Sequence, residues 1–409
     1  MKQPLQISIW SFPDIRLVLP ARALSFAGDS IALIALMLRV SDNGGGPGAL
    51  TALLLAFAVP IVVMIPFAGR IVDSYDSRTV LVCSSLLQAA AGVALAFSHG
   101  LVATVALVCV LQLGQAVAGP AWGALIPRIV GEDLVGRTTG TSQALIGAAT
   151  LAGSAAGGLL VGWSGDRGAL LVDAMTFVAL AVVARLVQTR RRPERGSVKE
   201  TGGLMAGLRS IFGDELLRVL LPALWVFVVV GEAVNVVEVF LVTDEIGLGP
   251  TAFGLIGALT GAGAIFGAWG SGRVRDDRMR SRAVLVGMAT IGGSSVLMGL
   301  AVGPLTLGLG ALTIGVGSGM LNASVSSLVV TRTADDLRGR VGAAMNGTIR
   351  CFSIVALLLG GIAGAVFGPR GTFVGGGALG VLTALVAVVL LTVRGARAIK
   401  DSVVEAVSH

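Results

Sequence analysis

Long apolar runs dominate this chain. Runs of about twenty residues recur at roughly 15–40, 49–70, 79–98, 101–126, 140–163, 168–188, 216–243, 251–272, 282–301, 304–329, 341–367 and 372–393. Each can cross a hydrocarbon layer of ~30 Å as a helix. Backbone N–H and C=O groups find no water there, so helices are predicted throughout. The pattern predicts an all-α membrane protein with twelve transmembrane helices, numbered here as spans 1–12. Composition agrees, with 55% hydrophobic and only 13% charged residues. The 59 glycines suit helices that approach one another closely in lipid.

The pattern also repeats itself, 203 residues on. Gly28-Asp29 returns as Gly231-Glu232, and Gly69 with Asp73 returns as Gly272 with Asp276. The string from Glu132 to Arg137 returns from Asp335 to Arg340, and Gly157-Gly158 as Gly360-Gly361. Unlinked matches at one offset predict two pseudo-symmetric six-helix bundles, 1–188 and 216–409, the second ending in a short tail. Residues 189–215 form the linker. Its first part, Thr189 to Gly203, is basic and polar. Its second part, Leu204 to Phe212, has apolar residues at helical spacing with Arg209 off that face, which predicts a short amphipathic helix on the membrane surface.

Charge then orients the spans. The connections after even-numbered spans and the two ends of the chain carry most of the arginines and lysines, while those after odd-numbered spans hold only Arg39, Arg167 and Arg370. Basic loops stay in the cytoplasm, so both termini are expected there, in a bacterial-type cytoplasmic (inner) membrane. The net charge of +7 is distributed between spans, which argues against nucleic acid. Cys83, Cys109 and Cys351 fall inside apolar runs and read as buried thiols without disulfide or metal spacing. The only lysines, Lys2, Lys199 and Lys400, follow no phosphate-cradling glycine loop. No hydrolytic triad is visible, so no enzyme, no cofactor and no metal is expected. The first run carries Arg22 and Asp29 and lacks a cleavage site, so it reads as a span and not a leader.

A charge at mid-bilayer costs at least ~2.5–3.5 kcal/mol on insertion scales, so each buried one asks for a reason. Asp29 is central in span 1, with Arg22 two helical turns earlier on the same face. Glu232 is central in span 7 at the repeat position. Carboxyls in apolar surroundings can exchange protons near neutral pH. Coupling to protons is one reading of Asp29 and Glu232; an Asp29–Arg22 pair that only locks helices is the other. Arg350 in span 11 either pairs with one of these acids or with an anionic cargo, or snorkels to the interface. Glu238, six residues after Glu232 and nearer the outer end, is expected on a different side of the helix; it is either an interfacial residue or a cavity residue in contact with cargo. Asp173 in span 6 reads as structural. Gln115, Asn235, Asn322 and Asn346 are amides in spans and candidates for cargo contact. With only His99 and His409 present, proton chemistry must rest on carboxylates.

Specific strings resemble the Major Facilitator Superfamily. Gly69, Asp73 and Arg78 match that superfamily's loop signature G-x-x-x-D-(R/K)-x-x-G-R-(R/K), with departures at Ser74, Ser77 and Thr79; Gly272 and Asp276 form a second copy. Gly153, Gly157 and Gly158 resemble the antiporter motif G-P-x-x-G-G, with Ser154 in place of its proline; Gly360 and Gly361 repeat it. The strings Arg22 to Asp29, Asp173 to Phe177 and Leu337 to Val341 are similar to twelve-span drug:proton antiporters of the macrolide-efflux and enterobactin-exporter kind. The resemblance implies the two-bundle fold, with spans 1, 4, 7 and 10 lining a cavity across which Asp29 and Glu232 face each other. It further implies a cytoplasmic gate at Asp73 that accepts from a helix N-terminus in the other half. The expectation is therefore a monomeric secondary transporter that exports a small amphipathic molecule, such as a drug, antibiotic or siderophore, against protons. Its partners are that cargo, protons and the bilayer, and the proton gradient is its energy source. Nutrient uptake, and a non-transporting sensor or scaffold, are the competing readings.

Overall fold

The computed structural model describes residues 8–190, 204–274, 276–333 and 337–407. The basic first part of the linker lies outside them. After a single turn at Ile9–Ser11, the chain forms α1 (Pro13–Asp42), α2 (Pro47–Ser74), α3 (Ser77–Phe97), α4 (Leu101–Val130) and α5 (Glu132–Leu186). The short α6 (Leu204–Gly213) precedes α7 (Leu217–Phe240), which runs on into a π-helical turn at Leu241–Glu245. Then come α8 (Pro250–Ser271), α9 (Asp277–Gly299), α10 (Pro304–Arg332) and α11 (Arg338–Val407). Ten of these helices are long and apolar enough to cross a membrane, and no strand occurs among the described residues.

Local chemistry sets the ends. Proline occupies the first turn of α1, α2 and α10, where its missing N–H would have no partner. Asp76 caps α3 by accepting from the N–H groups of Arg78 and Thr79 at 3.0 and 3.4 Å. Asp276 caps α9 by accepting from Met279 N–H at 3.2 Å. The two loop-signature copies thus differ. Asp73 belongs to the last turn of α2 and not to a loop, whereas Asp276 starts the next helix.

Spans 5 and 6 run end to end as the two arms of α5, 55 residues in all, and spans 11 and 12 as the two arms of α11, 70 residues in all. At 1.5 Å per residue, either far exceeds a hydrocarbon layer of ~30 Å. Each is broken by a single glycine outside helical geometry: Gly165 (φ 72°, ψ 177°) and Gly368 (φ 69°, ψ 177°). These two positions are again 203 residues apart.

The helices pack as two compact units. One comprises Met1–Val198 with Leu248–Ala258, the other Lys199–Gly247 with Leu259–His409. In the first, Ile15, Leu19, Trp122, Leu125 and Leu180 form a core at the end of the bundle where α1 begins. In the second, Leu220, Leu224, Met288 and Leu328 do the same at the start of α7. Both units turn large apolar side chains outward, among them Trp163, Phe266 and Val366, as a lipid-facing surface requires. The cysteines are free but not buried: Cys83 and Cys351 are exposed and Cys109 is partly so.

Glycine sets how closely helices meet. A Cβ on Gly153 would collide with the carbonyl of Ala27, and one on Gly157 would lie 3.1 Å from the Cα of Ile31. These glycines therefore seat α5 on α1 of their own unit, not on a partner bundle. Gly158 meets the backbone of Gly254 in the first turns of α8, which pack with the first unit. A Cβ on Gly360 would stand 2.6 Å from the Cα of Ala233, so this glycine lets α11 approach α7, and its neighbour Gly361 is buried. In the second unit, Gly263 and Gly267 of α8 interlock with Gly315 and Gly319 of α10, backbone against backbone.

Charged side chains fasten the bundle ends. Arg39 pairs with Asp166 and donates to the Leu95 carbonyl at 2.8 Å. Arg370 donates to Glu245 at 3.1 Å and to the carbonyls of Gly299 and Ala301. At the opposite end of the first unit, Arg78 donates to the Val187 carbonyl, and Asp14 accepts from the backbone of Gln188 and Thr189 at 3.0 and 2.9 Å.

Only glycine holds the conformation of residue 165 without strain, which costs a side chain ~1–3 kcal/mol. Gly165→Ala is therefore expected to lower the melting temperature of the detergent-solubilised protein clearly. Gly48→Ala, whose new methyl meets nothing within 4 Å, is the control and is expected to leave it near wild type.

Candidate functional site

The second unit encloses a cavity of about 360 Å³. Its polar edge comes from α7, where Glu232, Asn235 and Glu238 recur every three residues. A step of three residues turns a helix by roughly −60°, so the three share an arc of roughly 120°. Glu238 thus lines the same cavity as Glu232, as its cavity alternative has it, and does not point to a different side of the helix. The carboxyl of Glu232 has hydrogen-bond partners in Asn235 and in Ser353 of α11. Glu238 sits one turn before the π-helical stretch at Leu241, an irregularity often found where a helix bends around a site. Thr260 and Ser295 add hydroxyls, while Val228, Ile291, Met298, Ile314 and the fully buried Phe373 make the remainder apolar. No arginine or lysine lines it. Two carboxyls without a counter-charge in an apolar chamber suit a guest that is itself partly apolar and brings a positive group or protons.

The first unit is built differently around Asp29. The neighbouring Gly28 faces α5, where a Cβ would stand 2.5 Å from Thr176 Oγ1 and 2.6 Å from Asp173 Oδ1. Asp173 is 1% exposed and its Oδ1 has no hydrogen-bond partner, because the Thr176 hydroxyl donates to the main-chain carbonyl of Asp173 at 2.7 Å. Asp29 and Asp173 interact electrostatically. Asp173 was the acid the sequence pattern gave a structural part. Its lone carboxylate in an apolar run was legible, but the glycine across from it, Gly28 on another helix, was not. Arg22 makes no ion pair with Asp29. It lines a separate cavity of about 180 Å³ with residues of α4 and α5.

The remaining candidates are dispersed. The Gln115 carbonyl accepts from Gln88 at 3.1 Å, tying α4 to α3. Asn322 donates back to the Ser318 carbonyl and Asn346 to that of Gly342, each at 2.9 Å within its own helix. Arg350 is exposed, next to the cavity residue Ile349 but not itself among those that line it. Ser353 and the interlocking glycines of α8 and α10 were missed. The glycines were legible, as a G-x-x-x-G spacing on both helices.

This architecture of long apolar helices in two units has relatives. Residues 18–357 match the profile of the Major Facilitator Superfamily. The chain belongs to that superfamily. Within it, the chain is 23% identical over 384 residues to the uncharacterised MFS-type transporter YfiS of Bacillus subtilis (strain 168), covering 91% of this chain and 92% of that one. It is 28% identical over 263 residues to the lysophospholipid transporter LplT of Yersinia pestis (strain Pestoides F), a match that spans 63% of each. Among solved structures, the nucleoside transporter NupG superposes with a TM-score of 0.72 at 13% identity, covering 93% of this chain and 99% of NupG. A bacterial homologue of the human lysosomal transporter Spinster, inward-facing and unoccupied, gives 0.70 at 12%, covering 92% and 95%. At these identities the structures speak for the fold. The superfamily member described here is thus a multi-pass membrane transporter.

Gly28→Ala is expected to destabilise the protein by about 1–3 kcal/mol, through overpacking against Thr176 and Asp173. Thr176→Ala removes two of the three nearest atoms, Oγ1 and Cγ2 at 3.0 Å. The double variant is therefore expected to recover part of the loss in thermal unfolding, giving a non-additive cycle.

Proposed function

We propose that this chain is a proton-coupled secondary transporter that exports a small amphipathic molecule by alternating access, in the drug:proton antiporter branch of its superfamily. In this reading the chain crosses a bacterial-type cytoplasmic membrane twelve times, α5 and α11 each counting as two spans. It works as a monomer with both termini in the cytoplasm. The loop residues Gly69, Asp73, Arg78, Gly272 and Asp276 serve as the cytoplasmic gate, and the gradient of protons replaces any cofactor.

The observation that carries the reading is the chamber of the second unit, with Glu232 and Glu238 in an otherwise largely apolar wall that offers no basic residue. Such a chamber favours a guest with an apolar body and a cationic or polar head. Its volume, about 360 Å³, lies within the ~300–1,000 Å³ of small-molecule sites. Asp29, in electrostatic contact with the buried carboxyl of Asp173, is the second acid centre and the one assigned to proton coupling. Exchange then follows from competition: a proton and a cationic cargo cannot both neutralise the same carboxylate.

A second reading has its own support. The likeness to LplT favours a single-chain phospholipid as the amphipathic cargo. Proteoliposomes distinguish the two. Purified protein under an imposed pH gradient is offered a panel of cationic amphipathic drugs and, separately, fluorescent lysophospholipids. Asp29→Asn is expected to abolish gradient-driven flux with the folded yield unchanged. Glu238→Gln is expected to cut flux of cationic cargo by about tenfold, the loss of one charge-assisted contact. Undiminished gradient-driven flux in Asp29→Asn would remove Asp29 from the mechanism, and accumulation on the opposite face would turn export into uptake.

A further inference from the structure

Arg22 is the one arginine of α1 that the fold leaves unused. Arg16 donates to the Trp10 carbonyl and Arg39 pairs with Asp166. Arg22 has no ion pair or hydrogen bond among the described residues. It stands nine residues into α1, roughly 13 Å from the start of the helix at 1.5 Å per residue. A guanidinium that deep is costly to leave uncompensated, and it offers five N–H donors in a planar fork.

What it faces is a cavity of about 180 Å³. α5 contributes Thr139, Ser142 and Gln143 to its wall, all able to donate, at positions that follow one helix face. α4 contributes Gly119 and Gly123, one turn apart, and a Cβ on either would meet nothing within 4 Å. No carboxylate lines the cavity. The acids nearest in sequence are engaged elsewhere: Asp29 lies towards Asp173, and Asp14 binds the Gln188–Thr189 backbone. The cavity therefore gathers donors around one fixed positive charge. It is too small for a drug-sized molecule, which takes ~300 Å³ or more, but holds a single oxyanionic group.

We infer that Arg22, with Thr139, Ser142 and Gln143, forms a binding site for a phosphate group. Arginine matches phosphate oxygens two at a time, and a tetrahedral anion has acceptors left for the hydroxyls and amide on the α5 side. The glycines of α4 keep the space open. The phosphate is either free or the head group of a lipid, and both share this chemistry. The inference does not depend on the direction or the driving ion of transport, since it concerns binding alone.

The test uses the full chain, purified in a neutral, phosphate-free detergent, with binding read by titration calorimetry. Inorganic phosphate and a monoacyl glycerophosphate are the two probes. Saturable binding of at least one is expected, weakened tenfold or more by Arg22→Gln and lost in Gly123→Met, where the new side chain fills the cavity. Binding of both probes identifies a general phosphate site, and binding of the lipid alone identifies a head-group site. The proposal is overturned if neither probe binds, or if Arg22→Gln binds as wild type does. Should Arg22→Gln not fold, undiminished binding in Gly123→Met overturns it. Loss of flux in transport assays, with Arg22-dependent binding intact, counts against the transport reading and not against this site.

Discussion

Direct contact between helix backbones is the constraint on which this structure depends. In lipid there is no hydrophobic gain from pressing two apolar helices together, so van der Waals fit and weak backbone contacts must hold the bundle. That fit requires glycine where two backbones touch. Gly263, Gly267, Gly315 and Gly319 seat α8 on α10, Gly153 and Gly157 seat α5 on α1, and Gly360 seats α11 on α7. A methyl at several of these would overlap a carbonyl of the facing helix. Each close contact fixes the rotation of a helix about its own axis, and rotation decides which side chains face inward. The position of Glu232 beside Ser353 follows from how closely α7 and α11 meet at Ala233 and Gly360.

With rotation fixed, the charges divide into two groups. Arginines near the bundle ends are satisfied: Arg39 by Asp166, Arg370 by Glu245 and two carbonyls, and Arg332 by Asp214 and Asp277. These contacts can hold ends together because carbonyls at helix termini lack intrahelical partners. Farther in, Arg22, Asp173 and Glu238 have no opposite charge. A fold that needed charge only for cohesion would have no use for them, since each raises the cost of burial. All three lie beside a cavity or a glycine-made gap, and in the reading proposed above a proton or a ligand completes the electrostatics there.

Much of the fold was legible because lipid narrows the choices. Run length placed most helix ends to within a few residues, though α5 starts well before 140 and α11 runs well past 393, and a fixed offset exposed the repeat. The short linker helix, Leu204–Gly213, begins at the residue where the apolar spacing starts. The breaks inside α5 and α11, at Gly165 and Gly368, fall in the gaps expected between spans 5 and 6 and between spans 11 and 12, although nothing in the sequence marks which of the 59 glycines takes a positive φ. The sites were harder still. Sequence names an acid in an apolar run but not what lies across from it. Glu238 could be placed only once the packing of α7 was known, and the bond from Gln88 to Gln115 joins two helices whose pairing the sequence does not show. The two copies of the loop signature differ for a local reason. The second copy's aspartate falls at an N-cap, where a side-chain oxygen has a ready partner in its own backbone.

The two units show how one architecture acquired two kinds of interior. The repeat is kept where the chain must turn. Gly44 and Gly247 both have φ of 73°, and Gly165 and Gly368 break their helices alike. Arg167 donates to the carbonyl of Ala96 as Arg370 does to that of Gly299, each pair 203 residues apart. Inside the bundles the match ends. The positions equivalent to Asn235 and Glu238 are Ala32 and Ala35, which are 4% and 0% exposed and close the space. The position equivalent to Asp173 is Gly376, which removes the facing carboxyl from the second unit. The first unit thus packs its central acid against another acid, and the second opens a chamber around its own. Turns tolerate little variation because only glycine can adopt their backbone angles. A helix face tolerates much, because any side chain that fills or leaves the available volume keeps the helix. Chemistry could therefore diverge in the middle of the spans while the ends held the fold.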